Sequence, residues 1–138
     1  YFTGKHAGVL LARGELDAAQ GPLEEAITRL AEVGDLRHEG LFLTYLAAIQ
    51  MQRGHFSQAR VTLSAAEARL EAVKDPLSLT ALALRRMHVE VAAKDAGPKE
   101  ARALLSDVRA ARGSRRARTS QSEEVRIAAR ALEAALEP

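Results

Sequence analysis

Two stretches of this chain, forty residues apart, repeat one pattern of small and large apolar residues. The first runs from Arg13 to Asp35 and the second from Arg53 to Asp75. At matched offsets both carry Leu or Phe, then Ala, Leu, Ala, Leu and Val (positions 16, 19, 23, 26, 30 and 33, then 56, 59, 63, 66, 70 and 73). Spacings of three and four residues place such side chains on one face of a helix. The repeat therefore predicts helix pairs that stack, because one pair cannot bury both of its faces.

The rest of the chain carries the same periodicity less regularly. Residues 2–12, 36–51 and 77–91 are predicted to be helices. A last helix is predicted to begin at Ser120, because Ser120 and Glu123 have the spacing of a capping box. Trp and Cys are absent and Ala, Leu, Arg and Glu dominate, which favours helix over strand throughout.

Glycine and proline mark the expected helix ends. Gly54 is expected to end the helix before it, because glycine adopts the left-handed conformation at no steric cost. Pro76 suits the first turn of the helix that follows it. Pro22, preceded by Gly21, lies inside the helix of the first stretch, so we expect a kink or a displaced helix start there.

We therefore predict an all-α fold, a right-handed superhelix of antiparallel helix pairs with a C-terminal capping helix. The 138 residues are expected to form one repeat domain. Its units are predicted at about 1–34, 36–74 and 76–112, with the capping helix at about 120–136. Because the chain does not begin with Met, we expect it to be part of a larger protein.

One set of these residues resembles the signature of the tetratricopeptide repeat. The signature residues are a Leu-Ala pair in a first helix, a turn glycine, and Ala, Leu and Ala in a second helix, here Leu46, Ala47, Gly54, Ala59, Leu63 and Ala66. The resemblance covers about residues 3–92. The period is longer than the roughly 34 residues usual for the family. It is similar to the long-helix variety in the arms of bacterial signalling ATPases and maltose-activator-like transcription regulators.

The resemblance implies a non-catalytic protein-interaction scaffold whose first helices line a concave groove for a peptide or helix. Carried onto this chain, that groove comprises Lys5, Leu41, Thr44, Tyr45, Ala48, Gln52, Leu84, Arg85 and His88. Packing between repeats is an equally good interpretation of Tyr45, which has an apolar body and a polar tip. The chain has no Asn, so the carboxylate clamp of Lys, Arg and Asn that the family uses is not expected.

No set of residues has the spacing of a catalytic or metal site. The four histidines, at positions 6, 38, 55 and 88, form no i,i+4 pair, and there is no Cys. The adjacent acidic pairs at 24–25 and 123–124 point to different sides of a helix and are interpreted as solvated charges near helix N-termini. We therefore expect no metal, no cofactor and no enzymatic activity.

A basic run comprises Arg112, Arg115, Arg116 and Arg118. The alternative function is a regulatory arm of a transcription regulator or signalling ATPase, with this run contacting nucleic-acid phosphates. A solvated loop is the simpler interpretation, because no aromatic residue is interleaved for stacking on bases. The formal net charge of +2 also argues against nucleic acid as the main partner.

The expected partner is a protein or peptide, and self-association into a homo-oligomer is left open. No apolar run approaches the roughly 20 residues that span a bilayer, so no membrane partner is expected. The absence of Cys fits a reducing compartment. Sixteen Arg against four Lys, with no Asn, are typical of a GC-rich bacterial genome. We therefore expect a cytoplasmic bacterial protein.

Overall fold

A computed structural model describes residues 16–113 and 120–137 of the chain. These residues form six α-helices and no strand: α1 (Leu16–Val33), α2 (Leu36–Gln52), α3 (Phe56–Val73), α4 (Pro76–Ala92), α5 (Pro98–Gly113) and α6 (Ser120–Leu136). Neighbouring helices are packed together, α2 against α1 and α3, and α4 against α5 and α6. The predicted all-α helical repeat class is confirmed. The helix predicted at residues 2–12 lies outside the described residues.

The forty-residue period extends to the bounds of whole helices. α3 begins and ends forty residues after α1, and α4 begins and ends forty residues after α2. The period is lost at α5, which begins at Pro98, two residues later than the pattern requires. The helices α1 and α2 are therefore each repeated once at full length, as α3 and α4, before the forty-residue period is lost.

The chain forms two compact units, Tyr1–Lys74 and Asp75–Pro138. The division falls where the second predicted repeat unit ends. In the first unit, α1 and α2 share an apolar cluster of Ala19, Leu23, Tyr45 and Ile49. In the second, α4, α5 and α6 share a larger cluster that includes Leu84, Leu105, Val125 and Leu132. Each unit therefore has an apolar core of its own.

Equivalent aspartates begin α2 and α4. The Asp35 carboxylate accepts a hydrogen bond from the His38 backbone N–H at 3.1 Å and contacts the His38 ring nitrogen Nδ1 at 2.8 Å. Forty residues later, Asp75 accepts from the Leu77 backbone N–H at 3.2 Å and from the Ser78 hydroxyl at 2.7 Å. Both aspartates thus satisfy a backbone donor that the first turn of a helix leaves unpaired.

The residues that end the helices keep the same backbone conformation forty residues later, even though the amino acid changes. Gly34 and Gly54 have φ of 76° and 79°, as expected for glycines that end helices. The residues forty positions later are Lys74 and Lys94, with φ of 58° and 63°. The left-handed conformation is therefore kept where the glycine is not, although a Cβ makes that conformation costly.

α1 corrects two expectations and part of a third. The helix runs through Pro22 from a start at Leu16, so the proline does not displace the start, and the kink stays a prediction. Gly21 removes one clash of a helical proline, because it lacks the Cβ that would meet the proline ring. The acidic pair at 24–25 lies in the middle of α1 rather than near its N-terminus, and Glu25 pairs with Arg29 at 2.7 Å on the exposed surface. Val33, predicted to belong to the apolar stripe, is 77% exposed at the last helical position.

α2 is buried on most of its surface, because α1 and α3 both pack against it. Its contact with α3 is close at Gly40, where an added Cβ would lie 2.6 Å from Leu70 Cγ. Beside it, the buried Glu39 carboxylate accepts a hydrogen bond from Arg69 Nε at 3.0 Å. The missing side chain at position 40 thus leaves room for the Leu70 side chain, and the neighbouring ion pair links the two helices.

Candidate functional site

Most described residues of the predicted groove are buried. On α2, the side chains at the first four groove positions are between 1% and 6% exposed: Leu41, Thr44, Tyr45 and Ala48. Gln52, the last residue of α2, is exposed. Lys5 lies outside the described residues. Of the α2 positions, Gln52 is therefore the one that offers its side chain to a partner.

Tyr45 packs inside the first unit. It is 1% exposed and belongs to the cluster that α1 and α2 share, beside Ala19, Leu23 and Ile49. Its ring centroid lies 6.2 Å from that of Phe42, with the planes tilted by 50°. This is the packing interpretation of Tyr45, in which the apolar ring fills space between helices.

The predicted groove residues of α4 are also largely covered. Leu84 is fully buried and belongs to the core of the second unit, and Arg85 is 7% exposed. His88 lies on the same face of α4 as Leu84 and Ala81, four and seven residues before it. Burial of the imidazole, and then the charge of Arg85, lower the pKa of His88 to about 4. Its Nδ1 atom is buried and has no hydrogen-bond partner among the described residues.

The polar groups that begin α2 form a small titratable site. Burial alone would raise the pKa of Asp35. Hydrogen bonds from the His38 backbone and ring, with the charges of His38 and Arg37, outweigh burial and hold the pKa of that carboxyl below its ordinary value. The aspartate is therefore kept ionised as a helix cap, which is a structural role.

The basic run falls mainly outside the described residues. Arg115, Arg116 and Arg118 lie in the segment 114–119, and Arg112 lies in the last turn of α5, where its side chain is not described. His6 also lies outside. Among the residues that the structure does describe, no three His, Asp or Glu side chains are grouped so that they could hold a metal ion.

The second unit has an open cleft between α5 and the C-terminal end of α6. Its volume is about 350 Å³, and its walls are Arg102, Leu105, Arg109, Glu133, Leu136 and Glu137. Arg109 Nη2 lies 2.8 Å from Glu133 Oε1 and so connects the two walls. Two leucines thus form an apolar strip between four long charged side chains.

Sequence reasoning did not identify this cleft. On α5, Arg102, Leu105 and Arg109 are spaced by three and four residues, which is a visible one-sided pattern. The pattern alone does not show which helix faces it. That information comes only from the packing of α5 beside α6, which brings the two glutamates and Leu136 opposite the arginines.

Comparison of the chain with protein-family models, with curated protein sequences and with solved structures found no match. The resemblance to the tetratricopeptide repeat therefore stays a prediction. In the part of the chain that the structure describes, no helix combines the length and the apolar character needed to cross a membrane.

Proposed function

We propose that this chain is a non-catalytic scaffold that binds a peptide or helix of a partner protein, or another domain of its own parent protein, in the cytoplasm of a bacterium. The observation that carries the proposal is the forty-residue repetition of whole helix bounds, from α1 to α3 and from α2 to α4. Repeated helix pairs use one face for packing on each other, and their remaining surface is available for partners.

The buried residues of the repeat support this division of surfaces. Ala19 and Leu23 on α1 and their equivalents Ala59 and Leu63 on α3 are between 0% and 2% exposed. The residues that flank this stripe on α3 include Ser57, Gln58 and Ser64, which are polar and exposed to solvent. A constant apolar stripe with a variable polar surface is what a binding scaffold requires.

Site-specific photo-crosslinking in bacterial cells tests this function. A benzophenone amino acid is placed at Gln52, Val61 or Ser106, one exposed position on each of α2, α3 and α5. We expect one of these positions to crosslink a defined partner, identified by mass spectrometry, while the others do not. Crosslinking at all three positions that is no stronger than in the sample without irradiation would contradict a scaffold role.

A further inference from the structure

The ion pair of Arg109 and Glu133 joins the two walls of the cleft in the second unit. Arg102 lies seven residues before Arg109, about 10 Å further along α5 at 1.5 Å per residue. Glu137 lies four residues after Glu133. Arg102 and Glu137 both line the cleft, each at least four residues away from the ion pair along the chain.

The charges of Arg102 and Glu137 are not used within the described residues. Arg102 and Glu137 are both exposed, and among the residues that the structure describes neither side chain has a hydrogen bond or an ion pair. Between them lies the apolar strip of Leu105, which is 4% exposed, and the partly buried Leu136. The site therefore presents a cation and an anion on opposite walls of an apolar strip.

This arrangement is complementary to one face of an amphipathic helix. A helix places residues three and four positions apart on the same side, so an apolar residue can have an acidic neighbour on one side and a basic neighbour on the other. The guanidinium of Arg102 can bind a carboxylate with two parallel hydrogen bonds, and the carboxylate of Glu137 can accept hydrogen bonds from a lysine or an arginine. An apolar centre with a charged rim is typical of protein interfaces.

We propose that this cleft docks a helix of a partner protein, with one large apolar side chain on the strip of Leu105 and Leu136. An acidic residue of that helix pairs with Arg102, and a basic residue pairs with Glu137. The proposal rests on the scaffold function and assigns it a surface outside the predicted groove. Charge complementarity selects this occupant, because a ligand of a single charge sign would leave either Arg102 or Glu137 facing a like charge.

A displayed peptide library tests the proposal with the full 138-residue chain. Each peptide is an alanine-rich helix with a central Leu, and the positions three and four residues to either side are randomised among Asp, Lys and Ala. We expect selection to enrich peptides with Asp on one side of the Leu and Lys on the other. Enrichment without this charge pattern, or no enrichment at all, overturns the proposal.

The selected peptide is then titrated by fluorescence anisotropy against Glu137→Lys and a matched control, Asp107→Lys. Both acidic residues are exposed and both substitutions change the charge equally, but Asp107 does not line the cleft. We expect Glu137→Lys to weaken binding about tenfold, the order of one lost charge pair, and Asp107→Lys to leave it unchanged. Replacing the peptide's Lys by Glu should restore binding to Glu137→Lys.

Two other results separate this proposal from the scaffold function. A dimer of the chain that Glu137→Lys dissociates, seen by light scattering, would show that a second copy occupies the cleft and would overturn the proposed partner. If a cellular partner is crosslinked and Glu137→Lys does not affect its capture, the scaffold function is supported and the proposed docking site in the cleft is overturned. Loss of that partner with Glu137→Lys, and its retention with Asp107→Lys, supports both.

Discussion

At the scale of single residues, the aspartates that cap α2 and α4 have a structural role that their positions explain. Asp35 and Asp75 occupy equivalent helix starts, and the residues three positions later, His38 and Ser78, donate to them. A histidine and a serine thus perform the same hydrogen-bonding role in two copies of one motif. His88 differs from both, because its Nδ1 atom is buried without a hydrogen-bond partner among the described residues.

His88 should make stability depend on pH. The unfolded chain binds a proton on this residue near its ordinary pKa of 6.5, whereas the folded chain does so only near pH 4. As pH falls from 7 to 5, the unfolded state therefore gains a proton that the folded state does not, and the free energy of unfolding falls. The expected loss is on the order of 2 kcal/mol.

Urea denaturation at pH 7 and pH 5 measures this effect. His88→Gln, which does not titrate, should reduce the difference between the two pH values. His55→Gln is the control, because His55 is exposed and its side chain makes no cap hydrogen bond. An unchanged pH difference in His88→Gln would show that another group causes it.

At the scale of helices and turns, the repeat fixes where each helix ends. Gly34 and Lys74 are equivalent, and both end a helix in the left-handed conformation. The same holds for Gly54 and Lys94. The residues that follow α1 and α3 therefore share the left-handed conformation, although only Gly34 adopts it without strain.

Lys74→Gly should stabilise the protein. Glycine removes the Cβ strain of the left-handed conformation, and this gain exceeds the added entropy of the unfolded chain, for a net of about 0.5–1 kcal/mol. The reverse exchange, Gly34→Lys at the equivalent position, should lower stability by a similar amount. Thermal and chemical denaturation of the two variants measure both changes, and a destabilised Lys74→Gly would contradict the argument.

At the scale of the whole molecule, each compact unit buries apolar side chains of its own among the described residues. In the first unit, α3 contributes Leu63 and Leu70, which are 2% and 0% exposed. These leucines occupy the stripe that the repeat predicted. Leu70 packs closely against Gly40, and in a close-packed core a truncated leucine leaves a cavity that its neighbours fill only in part.

Leu63→Ala should therefore lower the free energy of unfolding by about 2–5 kcal/mol, through lost burial and the cavity that remains. Val61→Ala, two residues earlier on the same helix, is the control, because Val61 is 72% exposed. It should change stability by less than about 0.5 kcal/mol. Equal effects of the two substitutions in urea denaturation would show that α3 faces the other way.

The sequence predicted the helices and the buried stripe, because periodicity and helix-end residues are local properties. It did not predict that Leu41, Thr44 and Ala48 would be buried, since a resemblance to groove positions carries no information on what packs over them. For Tyr45 it left packing and partner binding equally open. It also did not predict the charged cleft. Arg102 and Glu137 are 35 residues apart in the chain, and only the packing of α5 beside α6 brings their helices together.

The left-handed residues at 34 and 74 have a consequence for protein engineering. The segment from Asp35 to Lys74 begins with a capping aspartate and ends in the backbone conformation that precedes the next one. Joining copies of this segment head to tail places Lys next to Asp at each seam, the same dipeptide that stands at 74–75 in the chain. Tandem copies of the forty-residue segment should therefore keep the capped start of α2 and the left-handed end of α3 at every seam without a designed linker.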